Sequence, residues 1–173
     1  MWQNDEMGVT LEPTGDELVH DEAPLPAEIG DLLEPGPHSL SQKAFFRSLR
    51  AEIARATRYN FLVCVIVLRI LPNTQSPFQP ESEGASELTR LLDSTLRTTD
   101  TLGCLGRRLV GVIIPHSSEN SATRLFERLQ AESLFSAFRR RTGCDLRAAF
   151  SLYPTDAVSI SGLVRVACQR LCA

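Results

Sequence analysis

The most restrictive feature of the chain is an almost unbroken apolar run, FLVCVIVLRIL, at residues 61–71. Its valines and isoleucines favour an extended strand, and the lack of polar alternation predicts that both faces of this strand are buried. The run is about half as long as a membrane-spanning helix, so we expect no passage through a bilayer. The chain must therefore build a sheet with covering layers on both sides, which 173 residues with 43% hydrophobic content allow as one domain.

Helices and further strands are predicted around this central strand. Ser39 or Ser41 can cap a helix that runs to about Tyr59, and Pro72 ends the strand before an irregular loop at residues 73–84. Alternating apolar residues around a polar break predict a β-hairpin at residues 101–115. The other predicted elements are helices near residues 85–96, 118–133 and 159–172 and a strand near residues 145–153, with residues 134–143 as the connection before that strand. This order predicts an α+β fold, an α/β sandwich whose mainly antiparallel sheet is flanked by helices, as in ferredoxin-like folds and nucleotidyl cyclases.

The N-terminal segment differs sharply in charge from the rest of the chain. Residues 1–42 contain ten acidic residues and no Lys or Arg, although the whole chain has a net charge of only −3. Scattered prolines and the absence of apolar periodicity predict that residues 1–40 form a disordered acidic arm ahead of a folded domain at residues 41–173. The arm is interpreted as a solubilising linker, an intramolecular mask over the basic domain, or a partner-binding tail. It lacks the pattern of a secretory signal, so we expect the protein to stay in the cytoplasm.

The cysteines and histidines indicate no metal centre. Five cysteines without a CxxC pair favour reduced thiols over a disulfide framework or a zinc site. His20, His38 and His116 are isolated in sequence, and no Ser-His-Asp arrangement is visible. We therefore expect no cofactor, and we interpret His116 as a loop residue rather than a base.

A spaced pair of motifs carries the functional interpretation. RTTD at residues 97–100 lies five residues before GRRLV, and a strand-like VIIP follows. This layout resembles the GGDEF family of diguanylate cyclases, in which an RxxD product-binding element precedes the signature. The signature positions are occupied here by Gly106, Arg107, Arg108, Leu109 and Val110. The leading helix and the segment AAFSLYPTDAVSISGLVRVA extend the resemblance over about residues 43–172.

The same resemblance implies that catalytic residues are missing. The family supplies an Asp at the end of its first strand and an acidic residue in the third signature position, and both hold divalent metal. Arg69 and Leu71 stand near the first place, and Arg108 stands at the second. Magnesium prefers oxygen ligands, and a guanidinium repels it. The domain is therefore identified as a degenerate member without enzymatic activity.

Arg97 and Asp100 form the element that the resemblance connects with cyclic di-GMP. An Arg fork can donate to guanine O6 and N7, and a carboxylate can accept from guanine N1 and N2. A second arginine commonly completes such a site, with Arg124, Arg128 or one of Arg139, Arg140 and Arg141 as candidates. In the alternative interpretation, Arg97 compensates a helix C-terminus and Asp100 caps the turn into the strand.

Two hypotheses about partners follow. In the first, an inactive GGDEF-like domain acts as a cyclic di-GMP receptor or regulatory module. In the second, the domain has lost nucleotide binding and serves as a protein-protein interaction or homodimerisation module. Nucleic acid is disfavoured as a partner because few aromatic residues lie near the arginine runs and the acidic arm can neutralise them.

Overall fold

A computed structural model describes residues 39–72, 83–130 and 132–172, which form helices and the strands of one sheet. The predicted acidic arm lies almost wholly outside these residues, as do residues 73–82 of the predicted loop. The chain order of elements is α1 (Gln42–Tyr59), β1 (Leu62–Leu71), α2 (Glu83–Asp93), β2 (Thr101–Gly106), β3 (Leu109–Ser117), α3 (Glu119–Gln130), α4 (Glu132–Thr142), β4 (Asp145–Tyr153) and α5 (Ile160–Cys172).

The sheet confirms the predicted fold class. Its four strands are ordered β2-β3-β1-β4, and each neighbouring pair is antiparallel. The apolar run forms the central strand β1, in which the six residues Val63 to Leu68 are all fully buried. Alternate residues of β1 contribute to two separate cores, because α1 and α5 cover one face and α2, α3 and α4 cover the other. In the described part of the chain, no helix is long and apolar enough to cross a membrane.

Helix α1 begins where the sequence predicts, and it crosses one face of the sheet. The Ser41 hydroxyl accepts a hydrogen bond from the Ala44 amide at 3.4 Å, and Asn60 ends the helix in the left-handed conformation. The ring of Phe45 lies against a cross-strand pair of glycines, Gly103 and Gly111, where any side chain would collide with it. This close approach seats α1 on the β2–β3 hairpin.

Two helix predictions need correction. Helix α2 already begins at Glu83, in the predicted loop, and ends at Asp93 rather than near residue 96, because the Ser94 hydroxyl bonds the Leu91 carbonyl at 2.8 Å in a tightened last turn. Residues 132–142, predicted mostly as a connection, form the separate helix α4. Leu134 and Phe138, one helical turn apart, are buried in α4 and anchor it in the core.

Strand β3 also differs in part from expectation. The strand was predicted to stop at Pro115 but runs to Ser117, because a register shift between Leu62 and Cys64 of β1 absorbs the irregularity. His116 therefore lies in this strand, with a positive φ of 52°, and its ring stacks on Phe61 at 3.8 Å. All five cysteines are free thiols, and only Cys172 is exposed.

Candidate functional site

The RTTD segment forms a tight turn between α2 and β2. The Asp100 amide donates to the Arg97 carbonyl at 3.0 Å, and the Asp100 Oδ2 accepts from the Arg97 amide at 2.9 Å. Arg97 is exposed, and Asp100 is half-buried. The structure thus brings the two residues of the predicted element into one turn, in which the carboxylate also holds the backbone.

Arg128 is the candidate second arginine that the structure places beside this turn. Its Nη2 donates to the Thr95 carbonyl at 3.1 Å, two residues before Arg97. Two other candidates are engaged elsewhere, since Arg139 is paired with Asp145 and Arg141 with Glu87 at 2.8 Å. Arg124 and Arg140 are exposed on α3 and α4. Arg97, Asp100 and Arg128 therefore form the most compact of the predicted combinations.

The second motif forms the tip of the β2–β3 hairpin. Gly106 pairs with Leu109, so Arg107 and Arg108 make the two-residue turn between them and are exposed. Leu109 and Val110 are buried as the first residues of β3. The Ile70 amide donates to the Arg108 carbonyl at 2.9 Å, which joins the turn to the end of β1. The two regions that the resemblance connects with catalysis are therefore neighbours in space.

Positive charge dominates this end of the sheet. Arg69 of β1 is the cross-strand partner of Arg147 on β4 and of Leu109 on β3. The Arg69 Nη1 lies 3.7 Å from the Cys172 sulfur, and the Arg147 Nη1 donates to the Leu171 carbonyl at 3.2 Å. In the described ranges, no group of three or more His, Cys, Asp or Glu side chains is arranged to hold a metal ion.

The two motifs lie at opposite ends of β2. Asp100 immediately precedes the strand, and Arg107 immediately follows its six residues. At about 3.3 Å per residue, the strand separates them by roughly 20 Å.

A polar cluster at the free side of β4 was missed by the sequence interpretation. The Asp156 carboxylate accepts from the Leu152 amide at 2.8 Å and from Arg170 at 2.7 and 3.0 Å, and Arg170 also donates to the Phe150 carbonyl at 2.7 Å. The bonds from Arg170 hold the pKa of Asp156 below its usual value, against the opposing effect of burial. A cleft of about 450 Å³ lies beside this pair, with Phe126 and Phe150 in its wall. Fourteen residues separate Asp156 from Arg170, so no local motif marks their pairing.

Comparison with solved structures shows what this arrangement is similar to. A DGC protein from Thermotoga maritima matches with a TM-score of 0.62 at 14% identity, over 76% of this chain and 94% of that one. The GGDEF domain of DgcB from Caulobacter crescentus, in complex with c-di-GMP, matches with a TM-score of 0.62 at 17% identity, over 77% and 81% of the two chains. Diguanylate cyclase SiaD from Pseudomonas aeruginosa, in complex with its activator SiaC, matches with a TM-score of 0.63 at 19% identity, over 76% and 53%.

The likeness lies in the fold. No protein-family model and no curated protein matches the chain. The sheet and its flanking helices nevertheless have the fold of GGDEF domains, as the resemblance in the sequence implies.

Proposed function

We propose that the chain is a non-catalytic domain of the GGDEF fold that binds cyclic di-GMP at the RTTD turn. The observation that carries this proposal is the placement of Arg97, Asp100 and Arg128 around one turn. The c-di-GMP complex of the similar DgcB domain makes this dinucleotide the first ligand to test.

The side chains at the turn have the chemistry to recognise guanine. A guanidinium can donate two parallel hydrogen bonds to O6 and N7, which is the role proposed for Arg97. One oxygen of Asp100 accepts a hydrogen bond from the Arg97 amide. Because a carboxylate has about four acceptor positions, Asp100 can also accept from guanine N1 and N2. Arg128 would then face a phosphate or the second base of the ligand.

The absence of catalysis is proposed from the residues at the other end of β2. Magnesium requires oxygen ligands, and it assists phosphoryl transfer by neutralising charge. Arg69, Leu71 and Arg108 offer no side-chain oxygen, and a guanidinium repels a divalent cation. These residues do not fit a divalent metal, and no step of nucleotide cyclisation is derived for them.

Isothermal titration of the full chain with cyclic di-GMP tests the receptor proposal. We expect binding by the wild type, and loss of at least tenfold in affinity in Arg97→Ala and Arg128→Ala, since each removes a charge-assisted contact of about 1.5–3 kcal/mol. Asp100→Asn is the sharper variant, because its amide oxygen can still accept from the Arg97 amide while its NH2 opposes the guanine donors. Arg140→Ala, which removes an exposed arginine from α4, is the matched control.

The outcomes separate the alternatives. Absence of heat at high ligand concentration would refute the receptor proposal, and equal affinity in wild type and Asp100→Asn would place the ligand elsewhere. Incubation of the full chain with GTP and Mg²⁺ tests the other half, and accumulation of cyclic di-GMP above a protein-free control would refute inactivity.

The second candidate function is a protein-protein interaction or homodimerisation module. It is favoured by the bond from the Arg97 amide to the Asp100 carboxylate, which accounts for Asp100 as part of the turn without a nucleotide. The complex of the similar SiaD with its activator SiaC provides a precedent for a protein partner. Sedimentation equilibrium of the full chain, with and without cyclic di-GMP, would detect a dimer that forms without nucleotide.

A further inference from the structure

Helix α1 carries a basic stripe made of Lys43, Arg47, Arg50 and Arg58. All four side chains are exposed. At 3.6 residues per turn, their spacing places them within an arc of roughly 80° along the helix, opposite the face that packs on the sheet. The stripe extends over about 22 Å, from the first turn of α1 to its last.

The basic stripe has no acidic counterpart on its own helix. Glu52 is the single acidic residue of α1, and it pairs with Arg55, which lies off the stripe. Elsewhere on the surface, some arginines have carboxylate partners, as Arg90 has in Glu87 and Arg170 in Asp156. Within the ranges that the structure describes, no carboxylate forms a salt bridge with the four side chains of the stripe.

The acidic N-terminal segment is tethered at one end of this stripe. Leu40 pairs with the edge of β2, since its amide donates to the Leu102 carbonyl at 2.8 Å and its carbonyl accepts from the Cys104 amide at 3.0 Å. Helix α1 begins two residues later, at Gln42. All ten acidic residues of the N-terminal segment precede residue 35. The segment joins the folded domain at Leu40, three residues before Lys43, where the stripe begins.

We propose that the segment 16–34 of the same chain docks along the basic stripe. This segment contains seven carboxylates and no Lys or Arg, so its charge complements the stripe. The five residues between Glu34 and Leu40 make six Cα–Cα steps, which can reach up to about 20 Å, and about seven extended residues cover the length of the stripe. Pro35, Gly36 and Pro37 are residue types that favour a reversal of the chain before Leu40.

Tethering makes such a contact effective although each exposed ion pair is weak. A short connection raises the local concentration of the segment to about the millimolar range. Several weak pairs can then act together, and the contact must weaken with salt because the charges are exposed to solvent. The proposed docking does not depend on nucleotide binding, because it involves neither the RTTD turn nor the hairpin tip.

Paramagnetic relaxation in NMR spectra of the full chain tests the proposal. A nitroxide is attached at Ala54→Cys, in the middle of the stripe, on a Cys172→Ser background that removes the exposed thiol. We expect the amide signals of residues 16–34 to lose most of their intensity at low salt, independently of protein concentration. Raising the ionic strength to about 1 M, where the Debye length is about 3 Å, should restore them.

Matched variants make the result specific. Arg47→Glu with Arg50→Glu should restore the signals at low salt, whereas the same charge change at Arg124 and Arg140 on the opposite layer should not. A nitroxide at the exposed Gln130→Cys should leave residues 16–34 unaffected. The proposal would be overturned if the signals of residues 16–34 were undiminished with the label at position 54. It would also be overturned if their loss were equal with the label at position 130, or if the loss grew with protein concentration.

Discussion

Replacement of Gly111 by alanine should destabilise the fold, although glycine in a strand is usually a weak point. A Cβ at residue 111 would stand 2.7 Å from the Phe45 Cζ, 3.0 Å from the Phe45 Cε2 and 2.9 Å from the Leu105 Cδ1. Phe45 and Leu105 are both fully buried, so neither can move into solvent to make room. The new methyl group must therefore push α1 away from the β2–β3 hairpin.

Two effects of opposite sign set the magnitude. Gly→Ala removes conformational freedom from the unfolded chain and stabilises by about 0.4–1 kcal/mol where the folded backbone is compatible. Overpacking of a rigid core costs about 1–3 kcal/mol. We expect overpacking to prevail, with a net loss of roughly 1–2 kcal/mol in the free energy of unfolding. At about 2–4 °C per kcal/mol, the Tm should fall by roughly 2–8 °C.

Urea unfolding followed by circular dichroism measures this change, and Gly84→Ala is the matched control. A Cβ at Gly84 would lie 3.5 Å from the Ile70 Cδ1, which is an ordinary contact in helix α2. This variant should be stabilised, by up to about 1 kcal/mol. The same chemical change should thus have opposite signs at the two positions. A Gly111→Ala protein as stable as the wild type would refute the reasoning about the packing of α1.

Phe45→Leu adds a test of the contact itself. Leucine lacks the ring atoms nearest to residue 111, so Gly111→Ala should cost less in this background. A Cβ at Gly103 instead meets the Cδ2, Cβ and Cγ of Phe45 at 2.7, 2.9 and 3.0 Å, and leucine retains the Cβ and Cγ. The double-mutant coupling should therefore be larger for residue 111 than for residue 103.

Three further predictions concern single groups. The pKa of Asp156 is lowered in the folded protein, so its pair with Arg170 stabilises the fold above the usual Asp pKa of about 3.9. This stabilisation is lost as pH falls through the lower folded pKa. In urea unfolding, Asp156→Asn should therefore be less stable than wild type at pH 7, with a smaller difference at pH 3. Ellman's reagent should modify the exposed Cys172 rapidly in the native protein but should not modify Cys64. The pKa of Cys64 is raised to about 12 by burial and, secondarily, by the charge of Asp156. Rapid modification of more than one thiol in the native protein would contradict this prediction. Ser41→Ala should cost only about 0.5 kcal/mol, since the capping bond is long at 3.4 Å, and a loss well above 1 kcal/mol in urea unfolding would show that Ser41 has another role.

The elements that the sequence predicted correctly are those with strong local signals. The apolar run of β1, the alternating hairpin with its arginines at the tip and the capped helix α1 each depend on residues that are close in sequence. Helix α4 was missed because its apolar face is short and gives a weak periodic signal in the sequence. This face is stabilised by packing in the core, where Phe138 is buried. The extension of β3 beyond Pro115 was missed because it depends on a register shift in a neighbouring strand.

The candidate site also has one part that is visible in the sequence and another that only the tertiary structure shows. Its residue types are visible in the sequence, since Arg97, Asp100 and Arg108 stand at a fixed spacing, and their roles stay predictions. The position of Arg128 beside the turn could not be predicted, since its contact with Thr95 joins two residues that are 33 positions apart in the sequence. The same holds for the Asp156–Arg170 pair at the free side of β4.

The sequence by itself determined the layered α+β plan, the charge contrast between the N-terminal segment and the domain, and the positions of Arg69 and Arg108. Only the tertiary structure decided which arginine lies beside the RTTD turn, how far that turn is from the hairpin tip, and which face of α1 remains exposed. The physical reason is that residue types and hydrophobic periodicity are local properties of a chain. Distances between separate elements depend instead on how their side chains pack together.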